Sequence, residues 1–173
     1  MSDFQPAGAQ IRPARADDLE ALVAVQRAAE LAALRHVFPP AEHPYPTQAV
    51  TARWRTGLAS AEASVLLAET GQRAVGLACV ASGWLRGLFV VPDAWGGGLA
   101  DRLHAEAMAI VRLEGNSRCR LWVLEENHRA RRFYGRLGWR PDGRRQPAPF
   151  PPYPPEIGYA LELAHPRTTG HLG

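Results

Sequence analysis

The sequence predicts a mixed α/β domain organised around one sheet, and three observations carry that prediction. Two stretches of helical apolar spacing near the N-terminus precede a hairpin of β-type runs, after which strand and helix alternate and the chain closes on two further strands. The 173 residues are the size of one ordinary core. With 46% hydrophobic and 21% charged residues there is material for that core, and too little net charge for a disordered chain. The expected organisation is a loose tail over 1–9, a single domain over 10–164 and a second tail over 165–173.

Each element follows from local pattern. A short strand is expected at Gln10–Arg12. Asp17 or Asp18 then caps a helix whose stripe is Leu19, Leu22, Val23, Gln26, Ala29, Ala33 and Leu34, apolar except at Gln26 and ended by Pro39-Pro40. A Pro-rich segment, His36–Pro46, leads to a second helix near Thr47–Ala59. Ser64–Glu69 and Arg73–Ala81 read as strands joined at Thr70-Gly71-Gln72, where glycine supplies positive φ. Leu85–Val91 is a strand stopped by Pro92, and Leu99–Leu113 repeats apolar residues at helical spacing. Arg118–Glu125 is too apolar around Leu121-Trp122-Val123-Leu124 to face water on both sides. Asn127 or His128 opens a short helix ended by Gly138, and a strand runs from beyond Trp139 to Arg145. The prolines between Pro147 and Pro155 exclude regular structure until a last strand, Ile157–Leu163.

Composition narrows the function classes. Cys79 and Cys119 lie in apolar runs without CxxC spacing or nearby histidines, so they read as reduced core thiols, and no metal site is expected. Neither a leader-like apolar segment nor a run near the ~20 residues of a membrane helix is present, which makes a cytoplasmic protein without a membrane partner the expectation. The net charge is +3 and every basic residue counted is arginine. Seven of them, from Arg129 to Arg145, concentrate positive charge where a phosphate-bearing ligand can be held. A long basic stripe interleaved with aromatics is missing, so nucleic acid is not the expected partner.

Chemistry concentrates in two segments. In Leu88-Phe89-Val90-Val91-Pro92-Asp93-Ala94-Trp95-Gly96-Gly97-Gly98-Leu99-Ala100 a strand enters three glycines and then a helix. Backbone N–H groups left unpaired at a positive helix end, beside residues without side chains, form an anion cradle. No Gly-Lys-Ser/Thr follows, and the GxGxxG spacing is not met, so the segment is neither a Walker loop nor a dinucleotide fingerprint. Taken alone it is also compatible with an ordinary glycine-rich turn.

The second segment runs from Leu121 to Trp139 and holds Glu125-Glu126-Asn127, Ala130, Arg132-Phe133-Tyr134 and Gly138-Trp139. Together the two segments resemble the acetyl-CoA-dependent N-acetyltransferases of the GNAT superfamily. That pattern is a strand, an Asn, an Ala three residues on, a Phe-Tyr pair and Gly-aromatic. The first segment is similar to the family's (Gln/Arg)-x-x-Gly-x-(Gly/Ala) loop, matching at Gly98 and Ala100 and departing at Trp95. The resemblance spans about Ile11 to Leu163.

It implies the GNAT fold, a mixed sheet with helices on both faces, antiparallel except for two central parallel strands that splay apart. Here these are Leu85–Val91 and Arg118–Leu124, and the pantetheine arm of acetyl-CoA, the co-substrate, lies between them. The implied reaction is direct attack of a primary amine of a small molecule or peptide on the thioester through a tetrahedral intermediate. Val90, Val91, Trp95, Gly96, Gly97, Gly98, Leu99, Ala100, Asn127, Ala130, Arg132 and Phe133 are the implied cofactor-binding residues, with the Val90 or Val91 amide as oxyanion donor. Tyr134 is the implied general acid, and Asn127 also serves as a helix N-cap. Homodimers are frequent in the family, and the resemblance extends that option to this chain.

The general base is less determined. Many family members carry a glutamate where this chain reads Gly83-Trp84-Leu85. Glu125 and Glu126 are the nearest acids, with Glu69, His36 and His43 as further candidates and a water chain as an alternative. Acceptor-binding candidates are His36 and Tyr45 from the Pro-rich segment, and Phe150 and Tyr153 from the loop Gln146–Pro155, which in GNAT folds borders the acceptor pocket as a stiff lid; a polyproline II ligand is the rival reading of that loop. The missing acid leaves a catalytically degenerate acyl-CoA-binding sensor, or an interaction module, as the alternative function.

Overall fold

Seven apolar or alternating runs form the strands β1 (Gln10–Pro13), β2 (Ala63–Thr70), β3 (Arg73–Ala81), β4 (Trp84–Val90), β5 (Arg118–Leu124), β6 (Arg140–Pro147) and β7 (Pro155–Glu162). They make one sheet of order β1-β2-β3-β4-β5-β7-β6, antiparallel at every step except β4 to β5. The helices are α1 (Leu19–Ala33), α2 (Thr47–Ala59), α3 (Leu99–Leu113) and α4 (His128–Arg136). The computed structural model describes residues 8–164. The tails expected at 1–9 and 165–173 lie outside the described residues except for Gly8 and Ala9.

Both faces of the sheet are covered, as a buried run without alternation requires. Residues Val75 to Val80 of β3 are all buried. Gly76 lies under α3, where an added Cβ would come within 2.9 Å of Leu103. Residues of opposite parity point to the other face, toward α1 and α2. The amphipathic stripe of α3 buries Leu99, Leu103, Ala107, Met108 and Val111, and that of α1 buries Leu22, Val25 and Ala29. Cys79 and Cys119 are both buried and unpaired, and burial pushes each thiol up to about 11, so neither is reactive near neutral pH. Among the described residues no helix is long and apolar enough to cross a membrane.

Three local expectations are corrected. Asp18 occupies the N-cap position of α1, but its carboxylate takes the Arg15 N–H at 2.6 Å and two Arg12 bonds at 2.8 and 2.9 Å instead of capping the helix. Helix α1 ends at Ala33, well before Pro39-Pro40. The Pro-rich stretch does not end the sheet at Arg145, because the ladder continues through Gln146↔Glu156 to Pro147↔Pro155. Strand β6 is the sheet edge, and there a proline forfeits no ladder bond on its outer side.

Candidate active site

The site begins where two strands part. β4 and β5 pair at Trp84↔Arg120 alone and then diverge, opening a cleft of about 560 Å³ walled by residues 85–90 on one side and 121–124 on the other. One residue of β4 is extra: Leu85 pairs with Val80 and Gly87 with Cys79, so Arg86 sits on a bulge. Further along, the Val91 N–H donates to the Val75 carbonyl at 3.0 Å. Antiparallel pairs alternate, so the adjoining pair Gly76↔Val90 exchanges no hydrogen bonds and the Val90 N–H points away from β3, toward β5. Of the two amides expected from the sequence, Val91's is committed to the sheet and Val90's faces the cleft.

The glycine loop follows at once. Gly96 and Gly98 hold φ of +79° and +77°, where a side chain would be strained, and nothing lies within 4 Å of an added Cβ at either. Gly98 is the N-cap of α3, and the first intrahelical bond runs from the Arg102 N–H to its carbonyl. The N–H groups of Leu99, Ala100 and Asp101 precede that bond and lack helical partners. Leu99's side chain is buried, so only its backbone is offered to a ligand. The Asp101 carboxylate is engaged by Arg136 at 2.9 and 3.2 Å, which holds it below the usual carboxylate range and neutralises it beside the cradle. Trp95 is a tether: its Nε1–H donates to the Val90 carbonyl at 2.7 Å, and Arg129 lies over its ring at 3.9 Å.

Helix α4 forms the other wall. Asn127 caps it, its Oδ1 accepting the Ala130 N–H at 3.1 Å, and Asn127, Ala130, Arg132, Phe133 and Tyr134 all line the cleft. Gly138, at φ +94°, ends the helix, and the Trp139 N–H closes back on the Tyr134 carbonyl at 3.1 Å. That closure seats Trp139 under Tyr134 with ring centroids 5.7 Å apart, and Phe133 meets Tyr134 edge-on at 5.2 Å. The sequence showed no sign of the fourth member of this cluster, His104, whose Nε2 accepts from the Trp139 indole at 2.9 Å. Burial raises the Tyr134 hydroxyl above the ordinary phenol range, so it stays protonated at physiological pH.

A second cavity of about 840 Å³ adjoins the cleft, and the two share Gln26, Glu30, Arg53, Arg86, Trp122 and Glu156 among their lining residues. Here lies the carboxylate that sequence reasoning missed. Glu30 of α1 accepts from the Tyr45 hydroxyl at 2.8 Å and from Gln26 Nε2 at 3.2 Å. Desolvation raises its carboxyl and those two bonds partly oppose the shift. Gln26 is itself held by the Trp54 indole, which donates to its Oε1 at 2.7 Å. A signal was present in the chain: Gln26 interrupts an apolar stripe, and Glu30 stands four residues on, on the same helical face.

The remaining candidates divide. Tyr45, His43 and Phe150 line the second cavity. Glu125 does not line either one; it forms a two-bond ion pair with Arg145 at 3.0 and 2.9 Å. Glu126 lies 3.4 Å from His128, also outside both cavities. His36 is a strut, its Nε2 2.9 Å from the Glu126 carbonyl, and Tyr153 points outward at 58% exposure. Glu69 is paired with Arg12 on the β1–β2 side. The geometry therefore gathers Asn127, Ala130, Arg132, Phe133 and Tyr134 on the cleft, leaves Glu125, Glu126, His36 and Tyr153 outside both cavities, and brings Glu30, Glu156, Arg53 and Arg86 to the lining that the two share.

Solved structures share this architecture. PaiA N-acetyltransferase from Thermoplasma acidophilum, in complex with coenzyme A, is 18% identical with a TM-score of 0.69, over 90% of this chain and 99% of that one. The ribosomal-protein-S18-alanine N-acetyltransferase from Escherichia coli is 18% identical with a TM-score of 0.68, over 93% and 97%. YncA from Salmonella typhimurium, a putative acetyltransferase with its cofactor acetyl-CoA, is also 18% identical with a TM-score of 0.68, over 92% and 96%. At that identity these likenesses establish the fold. No curated protein is a sequence match to this chain. The sequence model of the acetyltransferase (GNAT) family matches residues 28–139, from the middle of α1 through the splayed strands to Trp139, and the chain belongs to that family.

Proposed function

We propose that this protein transfers the acetyl group of acetyl-CoA to a primary amine of a small molecule or peptide. The observation that carries this reading is the cleft between β4 and β5, which has an anion cradle at one end, a buried phenol on its wall and a carboxylate-bearing cavity beyond it. The Thermoplasma protein binds coenzyme A and the Salmonella protein acetyl-CoA, and a cradle of main-chain amides beside a narrow strand cleft supports the same class of ligand here. The N–H groups of Leu99 and Ala100 would hold the diphosphate at the helix end, with Arg129 and Arg132 adding positive charge around it. Unpaired backbone on the facing edges of β4 and β5 would hold the pantetheine arm as an added strand.

In this reading the Val90 N–H stabilises the developing oxyanion, and Tyr134, kept neutral by burial, protonates the departing thiolate. Glu30 receives the amine proton. Its raised affinity for a proton suits that role better than an ordinary surface carboxylate, since a base is most effective when its pKa approaches the working pH. The sensor alternative rests on the missing acid before Leu85, and Glu30 supplies one from a different element. Titration calorimetry with acetyl-CoA, followed by a thiol-release assay over a panel of primary amines, tests the proposal. Expected are saturable acetyl-CoA binding and amine-dependent release of CoA thiol; binding without turnover on any amine would favour the sensor, and no binding would overturn both.

A further inference from the structure

We infer that the acceptor is an α-amino acid with an aromatic or large apolar side chain, recognised through its carboxylate by Arg53 and Arg86 and through its side chain by the paired indoles of Trp84 and Trp122. The inference rests on the acetyl-transfer reading of the same site and adds to it the class of acceptor.

Three features of the second cavity converge on such a molecule. The first is charge. Arg53 and Arg86 line both cavities, and among the described residues neither forms an ion pair or hydrogen bond. Arg53 also acts electrostatically on Glu30, the candidate base, which lines the same two cavities. These two guanidiniums, without an ion-pair partner, line a cavity that also holds Glu30, Glu42 and Glu156, so a carboxylate can be engaged by charge-assisted hydrogen bonds beside an amine held by the acids.

The second feature is an aromatic floor. Trp84 and Trp122 stack with ring centroids 6.3 Å apart and planes 26° from parallel. Arg86 lies over Trp84 at 5.2 Å, and Arg144 lies over both rings at 4.9 and 4.7 Å. Arg144 reaches them from β6 across Gly158 of β7, where a Cβ would come within 2.9 Å of its guanidinium and 2.5 Å of Asp142. Asp142 holds that arginine through its Nε at 2.8 Å. The floor is thus braced from the sheet edge, while Phe38, Tyr45 and Phe150 give the same cavity aromatic walls. With guanidinium groups over the indoles, the apolar lining of Phe38, Tyr45 and Phe150 beside the indole edges fits an aromatic or large apolar substituent better than a sugar.

The third feature is spacing along the path to the thioester. Glu30, Arg53 and Arg86 all belong to the lining shared by cleft and cavity, so the groups proposed to meet the amine and the carboxylate stand at the same junction. The bulge at Arg86 breaks the alternation of β4 at the point where this side chain is needed.

The test is steady-state thiol release at saturating acetyl-CoA with L-phenylalanine, phenethylamine, L-alanine and spermidine. Expected is a kcat/KM for phenylalanine at least about tenfold above that for phenethylamine, which lacks the carboxylate, and for alanine, which lacks the ring, with spermidine near background. Arg86→Gln is expected to lower kcat/KM for phenylalanine about tenfold while changing that for phenethylamine less than about twofold, and Arg86→Lys to restore part of the loss. Faster turnover of spermidine or phenethylamine, or an equal effect of Arg86→Gln on both amines, would overturn the acceptor class and leave acetyl transfer standing. Failure to bind acetyl-CoA in calorimetry would instead remove the reading on which the class rests.

Discussion

The Tyr45 hydroxyl donates a 2.8 Å hydrogen bond to Glu30, joining the Pro-rich loop between α1 and α2 to the half-buried carboxylate shared by both cavities. This bond favours the ionised carboxylate, whereas burial favours the acid. In Tyr45→Phe burial is therefore less opposed and the Glu30 pKa rises further. The acidic limb of the kcat/KM profile should move to higher pH, with activity depressed near neutrality and recovering in mild alkali. In Glu30→Gln, turnover should fall at least about tenfold without that recovery, while calorimetry with acetyl-CoA stays unchanged. A profile for Tyr45→Phe superimposable on the parent would remove Glu30 from proton transfer.

Tyr134 has a hydroxyl on the cleft and a ring seated against Phe133 and Trp139. Tyr134→Phe keeps the ring and removes only the proton donor. Turnover should fall about tenfold or more, at least about 1.4 kcal/mol of barrier, with acetyl-CoA affinity and melting temperature nearly constant. Undiminished turnover would show that another group protonates the thiolate.

The cradle can be probed at Gly97, which lacks the positive φ of its neighbours and whose added Cβ meets only the Ala94 carbonyl, at 3.8 Å. Gly97→Ala should fold and bind acetyl-CoA like the parent. Gly97→Glu brings a negative charge to the loop proposed to hold the diphosphate, and the dissociation constant measured by calorimetry should rise about tenfold or more, less so at high salt. Equal binding by both variants would place the diphosphate elsewhere.

His104 gives the fold a pH dependence of determinate sign. Burial lowers its pKa below the ordinary value of 6.5, and its Nε2 lone pair is occupied by the Trp139 indole. Between the lowered value and about 6.5, the unfolded chain binds a proton that the native chain does not. Stability is therefore complete above that window and declines as pH falls through it, by up to about 1.4 kcal/mol per pH unit from this group. His104→Gln retains an acceptor for the indole and cannot titrate. Urea melts of the two proteins across mildly acidic pH should show that part of the slope in the parent only, whatever the variant's absolute stability.

Much of this protein is determined by its sequence alone, because the relevant physics is local. Hairpin glycine, helix caps and apolar period depend on residues a few positions apart, and on them alone the β2–β3 hairpin, helix α3, Asn127 as cap of α4 and Gly138 as its terminator can be placed. The glycine loop is equally local, since a strand, a short turn, three glycines and a helix follow one another within residues 84–113. Which carboxylates border the cavities was decided only in three dimensions. Glu125 and Glu126 adjoin the motif in the chain, yet the pairing of β6 with β7 sets Arg145 against Glu125, and His128 draws Glu126 outward. Glu30, nearly a hundred residues earlier, arrives through the packing of α1 across β3 and β4. Arg144 reaches Trp122 because Gly158 leaves a gap on the strand between them, which no local pattern encodes. Backbone sites are written in consecutive residues, whereas the electrostatic surroundings of a side chain are set by whichever strands and helices the topology brings beside it.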